Sequence, residues 1–148
     1  MNRILFLLVF ICSACSNNPG KPVNETRLGE SNYYIQLPGD FDISEARGKE
    51  GQLGYNITPK DSTSTMFGFI EIKAGNPIGN NPPDDGSTNE IVASYLLDKK
   101  VQWKVHKTET GYYEAFTNEP GDINARASSK NRYEIDLFIS IVKTLRQK

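Results

Sequence analysis

Cysteine is almost missing from this chain: there are two in 148 residues, Cys12 and Cys15, and histidine is reduced to His106 alone. Two near-adjacent thiols cannot staple a chain of this length, so the fold must rest on a buried apolar core, which a single domain of this size can supply. One imidazole cannot make a three-histidine or Cys/His zinc centre, nor an H-E-x-x-H helix. An excess of one charge is missing too. The 17 Lys+Arg nearly balance the 18 Asp+Glu, leaving a net charge of −1 and none of the basic surplus that nucleic-acid binders carry. No apolar run is long enough to span a bilayer. The run 4–12 (ILFLLVFIC) would rise only roughly 13 Å as a helix. The chain also lacks a G-x-S-x-G elbow and a G-x-x-x-x-G-K-[ST] phosphate loop. With 10% aromatics and mixed charge it is nonetheless too core-forming for a disordered protein.

What is present begins with an address. Arg3 ahead of the apolar run 4–12 reads as the start of a secretory signal. Ser13, Ala14 and Cys15 follow at once, and the stretch resembles the lipobox of bacterial lipoproteins: an aliphatic residue, two small residues and a cysteine. Cys12 stands where Leu, Val or Ile is usual, and it is small and apolar enough to serve. The resemblance implies that residues 1–14 are a signal peptide and that Cys15 carries a diacylglyceryl thioether. Acyl chains gain about 0.8 kcal/mol per buried methylene, so several of them would hold the protein to the lipid bilayer. Ser16, in place of an Asp that would retain the protein in the inner membrane, implies the outer membrane. The non-acidic Asn17-Asn18-Pro19-Gly20 implies a periplasmic orientation. With Cys12 removed and Cys15 alkylated, no thiol is left for a disulfide, a nucleophile or a metal. Residues 15–31 are then the lipidated cysteine and a flexible tether, with a reach of roughly 20–25 Å.

The remaining 32–148 read as one domain. Tyr33, Ile35 and Leu37 alternate with polar positions up to Pro38-Gly39, as do Phe41 and Ile43, and then Leu53, Tyr55 and Ile57. A longer strand, 66–73, is apolar on both faces at its start, which predicts a central strand covered on each side. Gly, Pro, Asn and Asp dominate the loop 75–86. Ser87 and Glu90 then form a capping-box pattern, with Ile91, Val92, Tyr95 and Leu96 at helical spacing, predicting a helix over 88–99. Alternation returns in 101–106, 112–117 and 122–128. Asn131 and Glu134 open a second amphipathic helix that runs to about Arg146. The prediction is an α+β domain: a mostly antiparallel, twisted sheet of about seven strands packed by two helices, in the order ββββαβββα. That order, the Tyr-x-Ile-x-Leu-Pro start (Tyr33 to Pro38) and the terminal helix look like the PsbP-like fold. The resemblance implies an accessory or binding protein rather than a catalyst.

Little in the domain carries chemistry. His106 reads as a solvated strand histidine. Asp84, Asp85, Asn89 and Glu90 cluster oxygen atoms, but their spacing does not match an EF-hand, and a turn leading into a helix accounts for them. No metal and no cofactor is expected. The candidate contact residues are Tyr34, Trp103, Tyr112 and Phe116, because Tyr, Trp and Phe on an uncovered sheet face supply large stiff contact area. Asp84 and Asp85 join them because long loops in compact domains are often functional. The resulting expectation is a non-enzymatic, outer-membrane-anchored periplasmic module that binds another protein, one concrete form being an immunity-type lipoprotein that plugs a toxin. A small-ligand or lipid carrier is the alternative. A carboxylate-based envelope hydrolase is a third class, whose signature is a distance between two carboxyl groups.

Overall fold

The computed structural model of the chain describes residues 23–47, 53–72 and 90–148. In chain order they form β1 (Val23–Arg27), β2 (Tyr33–Pro38), β3 (Phe41–Arg47), β4 (Leu53–Pro59), β5 (Phe67–Ile72), β6 (Glu90–Leu96), β7 (Lys99–Lys107), β8 (Tyr113–Thr117), β9 (Ile123–Ser129), α1 (Arg132–Val142) and β10 (Arg146–Gln147). Seven strands make one antiparallel sheet, ordered β3-β4-β5-β9-β8-β7-β6, and three make a second, ordered β1-β2-β10. An α+β domain with a seven-stranded antiparallel sheet is therefore present. The membership of that sheet and the helix count differ from expectation. Among the described residues no helix is long and apolar enough to cross a membrane.

The helix lies where side chains are small. One row across the large sheet runs Ile43, Ile57, Gly68, Ala127, Ala115, Val105, and its three central members form a trough. Phe138 of α1 fills it so closely that a Cβ on Gly68 would stand 2.3 Å from the ring. Phe138 also meets Trp103 edge-on, with ring centres 6.0 Å apart. Ile135, Phe138, Ile139, Ile141 and Val142 are all buried, because α1 touches β8 and β9 of the large sheet on one side and β2 of the small sheet on the other. Tyr33, Ile35 and Leu37 close the core from that second side. The Tyr55 hydroxyl links the layers by donating to the Leu28 carbonyl over 3.0 Å.

Three expectations need correction. The predicted helix over 88–99 is a strand: β6 pairs with β7 from Glu90↔Val105 to Leu96↔Lys99, while 88 and 89 lie outside the described residues. Ile91, Val92 and Tyr95 are β-formers, and a two-residue turn at Leu97 (φ 50°) and Asp98 (φ 62°) returns the chain. Glycine or asparagine normally marks such a turn, so the hairpin was hidden. Glu90, expected to cap that helix, instead accepts from Arg132 at the start of α1, at 3.1 and 3.2 Å.

The tether is the second correction. Its second half contains β1, paired with β2 from Val23↔Pro38 to Arg27↔Tyr34, followed by the fully buried Leu28. As an edge strand with exposed residues, β1 has too few apolar positions to show alternation. The lipobox and residues 15–22 lie outside the described residues. Third, the terminal helix stops at Val142 and does not reach Arg146. Asn131 does cap its start, accepting from the Tyr133 amide at 3.0 Å. Beyond Lys143, Thr144 receives the Gln36 amide at 2.9 Å, and Arg146 and Gln147 pair with β2. Arg146 and Lys148 then clasp Glu25 of β1, Lys148 Nζ at 3.0 Å, and these hydrogen bonds hold the Glu25 carboxyl below its usual range.

Glu134 does not complete a capping box. It accepts from the Ser64 hydroxyl at 2.7 Å and from the Ser129 hydroxyl, and Ser129 in turn receives the Asn131 amide at 2.9 Å. This chain of bonds ties the β4–β5 loop, the end of β9 and the helix start together.

Candidate functional site

Successive residues of a strand point to opposite faces of its sheet, so the face of the large sheet away from α1 follows directly from the pairing. One row crosses all seven strands: Ser44, Asn56, Phe69, Arg126, Phe116, Lys104, Ile91. Its middle alternates ring and cation. The Arg126 guanidinium lies 5.1 Å from the Phe69 ring centre, and the Lys104 ammonium 5.6 Å from that of Phe116. Both cations are exposed and both rings half-buried, with Ile91 at 52% and the neighbouring Phe67 at 45% exposure. Phe69 rests on Gly54, where a Cβ would meet its ring at 2.6 Å, so the glycine lets the ring lie down and offer its upper face to Arg126.

Each row on either side carries a carboxylate. On one side Glu71 accepts from the Asn124 side chain at 3.1 Å, and on the other Glu114 faces His106, Nε2 to Oε2 at 3.6 Å. Asp42, farther along, pairs with Lys60 at 3.5 Å. Each of these carboxylates has a partner. Arg126 and Lys104 have no carboxylate partner among the described residues; their contacts are the rings. The same residues contain no group of three or more His, Cys, Asp or Glu able to hold a metal.

The residues singled out from the sequence scatter. Phe116 sits in the middle of the stripe. Trp103 is 1% exposed and belongs to the core, against Phe138, so it is not a surface contact residue. Tyr34 is half-buried on β2 of the small sheet, with Lys148 Nζ 4.7 Å from its ring centre, on a different sheet from Phe116. Tyr112 precedes β8 and is half-buried beneath Lys130, at 5.3 Å. Cys15, the loop 75–86, Asp84 and Asp85 lie outside the described residues. His106 is not solvated: its side chain is 8% exposed and turned toward Glu114.

Phe69, Arg126 and Lys104 were missed. A usable signal was present in the run Phe67, Gly68, Phe69, Ile70, where two large rings alternate with a glycine and a buried isoleucine. Apolar side chains on both faces read as a strand covered twice, and β5 is covered by α1 on one side while Phe67 stays exposed on the other. A separate surface hollow of about 400 Å³ lies between the β6–β7 turn and the end of α1, lined by Tyr95, Leu97, Asp98, Lys143 and Leu145 among others.

No protein-family model matches the chain, and a comparison with curated proteins returns no match.

Proposed function

We propose that this chain is a non-enzymatic binding module of the bacterial envelope, moored to the outer membrane through an acylated Cys15 and facing the periplasm, whose task is to engage another protein. The observation that carries the reading is the ring–cation row on the sheet face turned away from α1. Aromatic side chains and arginine are enriched at the energetic centres of protein interfaces, and here Phe69, Phe116 and Arg126 meet in one stripe. An immunity-type lipoprotein that blocks an incoming toxin is the concrete form this takes. The carrier alternative needs a contiguous apolar chamber. Phe138 in contact with Gly68 and Trp103 occupies the space between the large sheet and α1, which leaves that alternative with less support.

Two measurements test the reading. Labelled palmitate should enter the wild-type chain and fail to enter Cys15→Ala; label absent from the wild type, or equal in both, overturns the anchoring. Cells lacking the gene should be killed by toxin-delivering neighbours and rescued by the wild-type chain. Survival of the deletion strain overturns the immunity form.

A further inference from the structure

The charge pattern of the exposed face narrows the chemistry of whatever docks there. Strands in a sheet lie about 4.8 Å apart, so Arg126 on β9 and Lys104 on β7, two strands apart in one row, stand about 10 Å from each other with the Phe116 ring between them. This central line is cationic and aromatic. The row on one side carries Glu71 and the row on the other carries Glu114, at opposite flanks of the same stripe. A positive crest between negative flanks is complementary to a narrow ridge, not to a broad field of charge.

Resting on the proposal that this face binds a protein, we infer that the partner lays an acidic ridge along the Phe69–Arg126–Phe116–Lys104 row. Its carboxylates sit over the two cations, aliphatic groups over the two rings, and basic residues on its shoulders toward Glu71 and Glu114. The cations are suited to this because their present contacts are rings, not carboxylates, so an incoming carboxylate breaks no ion pair. The flanking acids, by contrast, repel phosphate. A single-stranded nucleic acid would use the rings and cations well but would thread its phosphates past Glu71 and Glu114, and an anionic membrane would press against both at once.

The test uses the full chain in living cells. The photo-crosslinking residue benzoylphenylalanine replaces Gln102, which is exposed on the same face two residues from Lys104, or replaces Tyr133, which is 70% exposed on α1. A protein adduct is expected from position 102 and not from 133. It should fall by at least about tenfold when Arg126→Glu and Lys104→Glu are combined, because like charges brought together across an interface oppose docking. Reversing the crest carboxylates of the crosslinked protein to lysine should restore it. A thermal melt within about 4 °C of wild type shows that the double variant is folded. An adduct from 102 that survives the charge reversal overturns the acidic ridge but leaves a protein-binding face. No adduct from 102, or one from 133 alone, overturns the face itself. The purified chain is also titrated with oligo(dT) and with phosphatidylglycerol vesicles. Salt-sensitive binding of either probe that is lost in the double variant replaces the acidic ridge with a polyanion and overturns the inference.

Discussion

Adding one methyl group at Gly68 should cost more stability than its size suggests, and the sign of the effect is diagnostic. In a strand, alanine normally gains about 0.5–1 kcal/mol over glycine, because glycine loses more backbone freedom on folding. Here the new Cβ would lie 2.3 Å from Phe138 Cε2, 2.5 Å from Cδ2 and 3.1 Å from the Ile57 carbonyl oxygen. Carbon atoms pack best at about 3.5–4.0 Å, so the ring must withdraw by about 1 Å or more. It has nowhere open to go: Phe138 is 0% exposed and stands edge-on to Trp103, which is 1% exposed. Overpacking of this kind costs about 1–3 kcal/mol. Gly68→Ala should therefore destabilise by that amount in urea melts followed by the fluorescence of Trp103, the single tryptophan. Gly121→Ala, where a Cβ meets nothing within 4 Å, should stay within about 0.5 kcal/mol of wild type. In a Phe138→Leu background the penalty at Gly68 should shrink by about 1–2 kcal/mol, since the two sites are in contact. Strict additivity, or a Gly68→Ala chain as stable as wild type, would refute the close seating of α1 on the sheet.

Three further outcomes are expected. Glu134→Ala removes the carboxylate to which the fully buried Ser129 hydroxyl donates and should cost about 1–3 kcal/mol in the same melts, with Glu134→Gln losing less. Burial raises the pKa of Tyr33 and Tyr55 above the ordinary value of 10.0, with Asp122 adding to the effect at Tyr33 and Glu45 at Tyr55, against a lowering hydrogen bond from Ser31. A raised folded-state pKa stabilises the fold fully below pH 10 and is lost as pH climbs through the folded value. Urea midpoints should therefore fall above pH 10, and fall less in Tyr55→Phe; an identical decline in both chains would show that Tyr55 is not involved. Asp98→Gly should stabilise by about 0.5 kcal/mol, because φ 62° is left-handed backbone that glycine adopts without steric cost. A lower midpoint in that variant would argue against the tight β6–β7 turn.

Strands with strict alternation were legible from the sequence, since alternation is itself the record of one buried and one exposed face. Val101 and Val105 are buried in β7, and Ile123, Ala125 and Ala127 are buried in β9, as their spacing foretold, whereas Trp103, expected on the open face, is buried with its β7 neighbours. The helix start at Asn131 was legible because a capping side chain acts locally. β6 was not. Ile91, Val92, Tyr95 and Leu96 satisfy a helical spacing, and only pairing with β7 and a turn lacking glycine decide the matter. β1 and β10 were hidden for a related reason: short edge strands owe their form to β2, a partner distant in sequence from β10. Membership of the two sheets is likewise a long-range property, and alternation within β2 carries no hint that it leaves the large sheet to the others. Of the four residues in the ring–cation row, one was legible. Phe116 was read from its alternation, but Phe69, Arg126 and Lys104 share a line with it only through three strand registers.

The early start of β1 sets how closely an anchored domain would hug its bilayer. From Cys15 to Val23 there are eight peptide steps, and a chain pulled taut covers at most about 3.3–3.6 Å per step, so the leash is shorter than about 30 Å. A moored protein on so brief a line has the three-stranded sheet as its near shore. With Cys15 acylated as proposed, it would keep to a thin layer just beneath the membrane and would intercept a visitor at the point of entry.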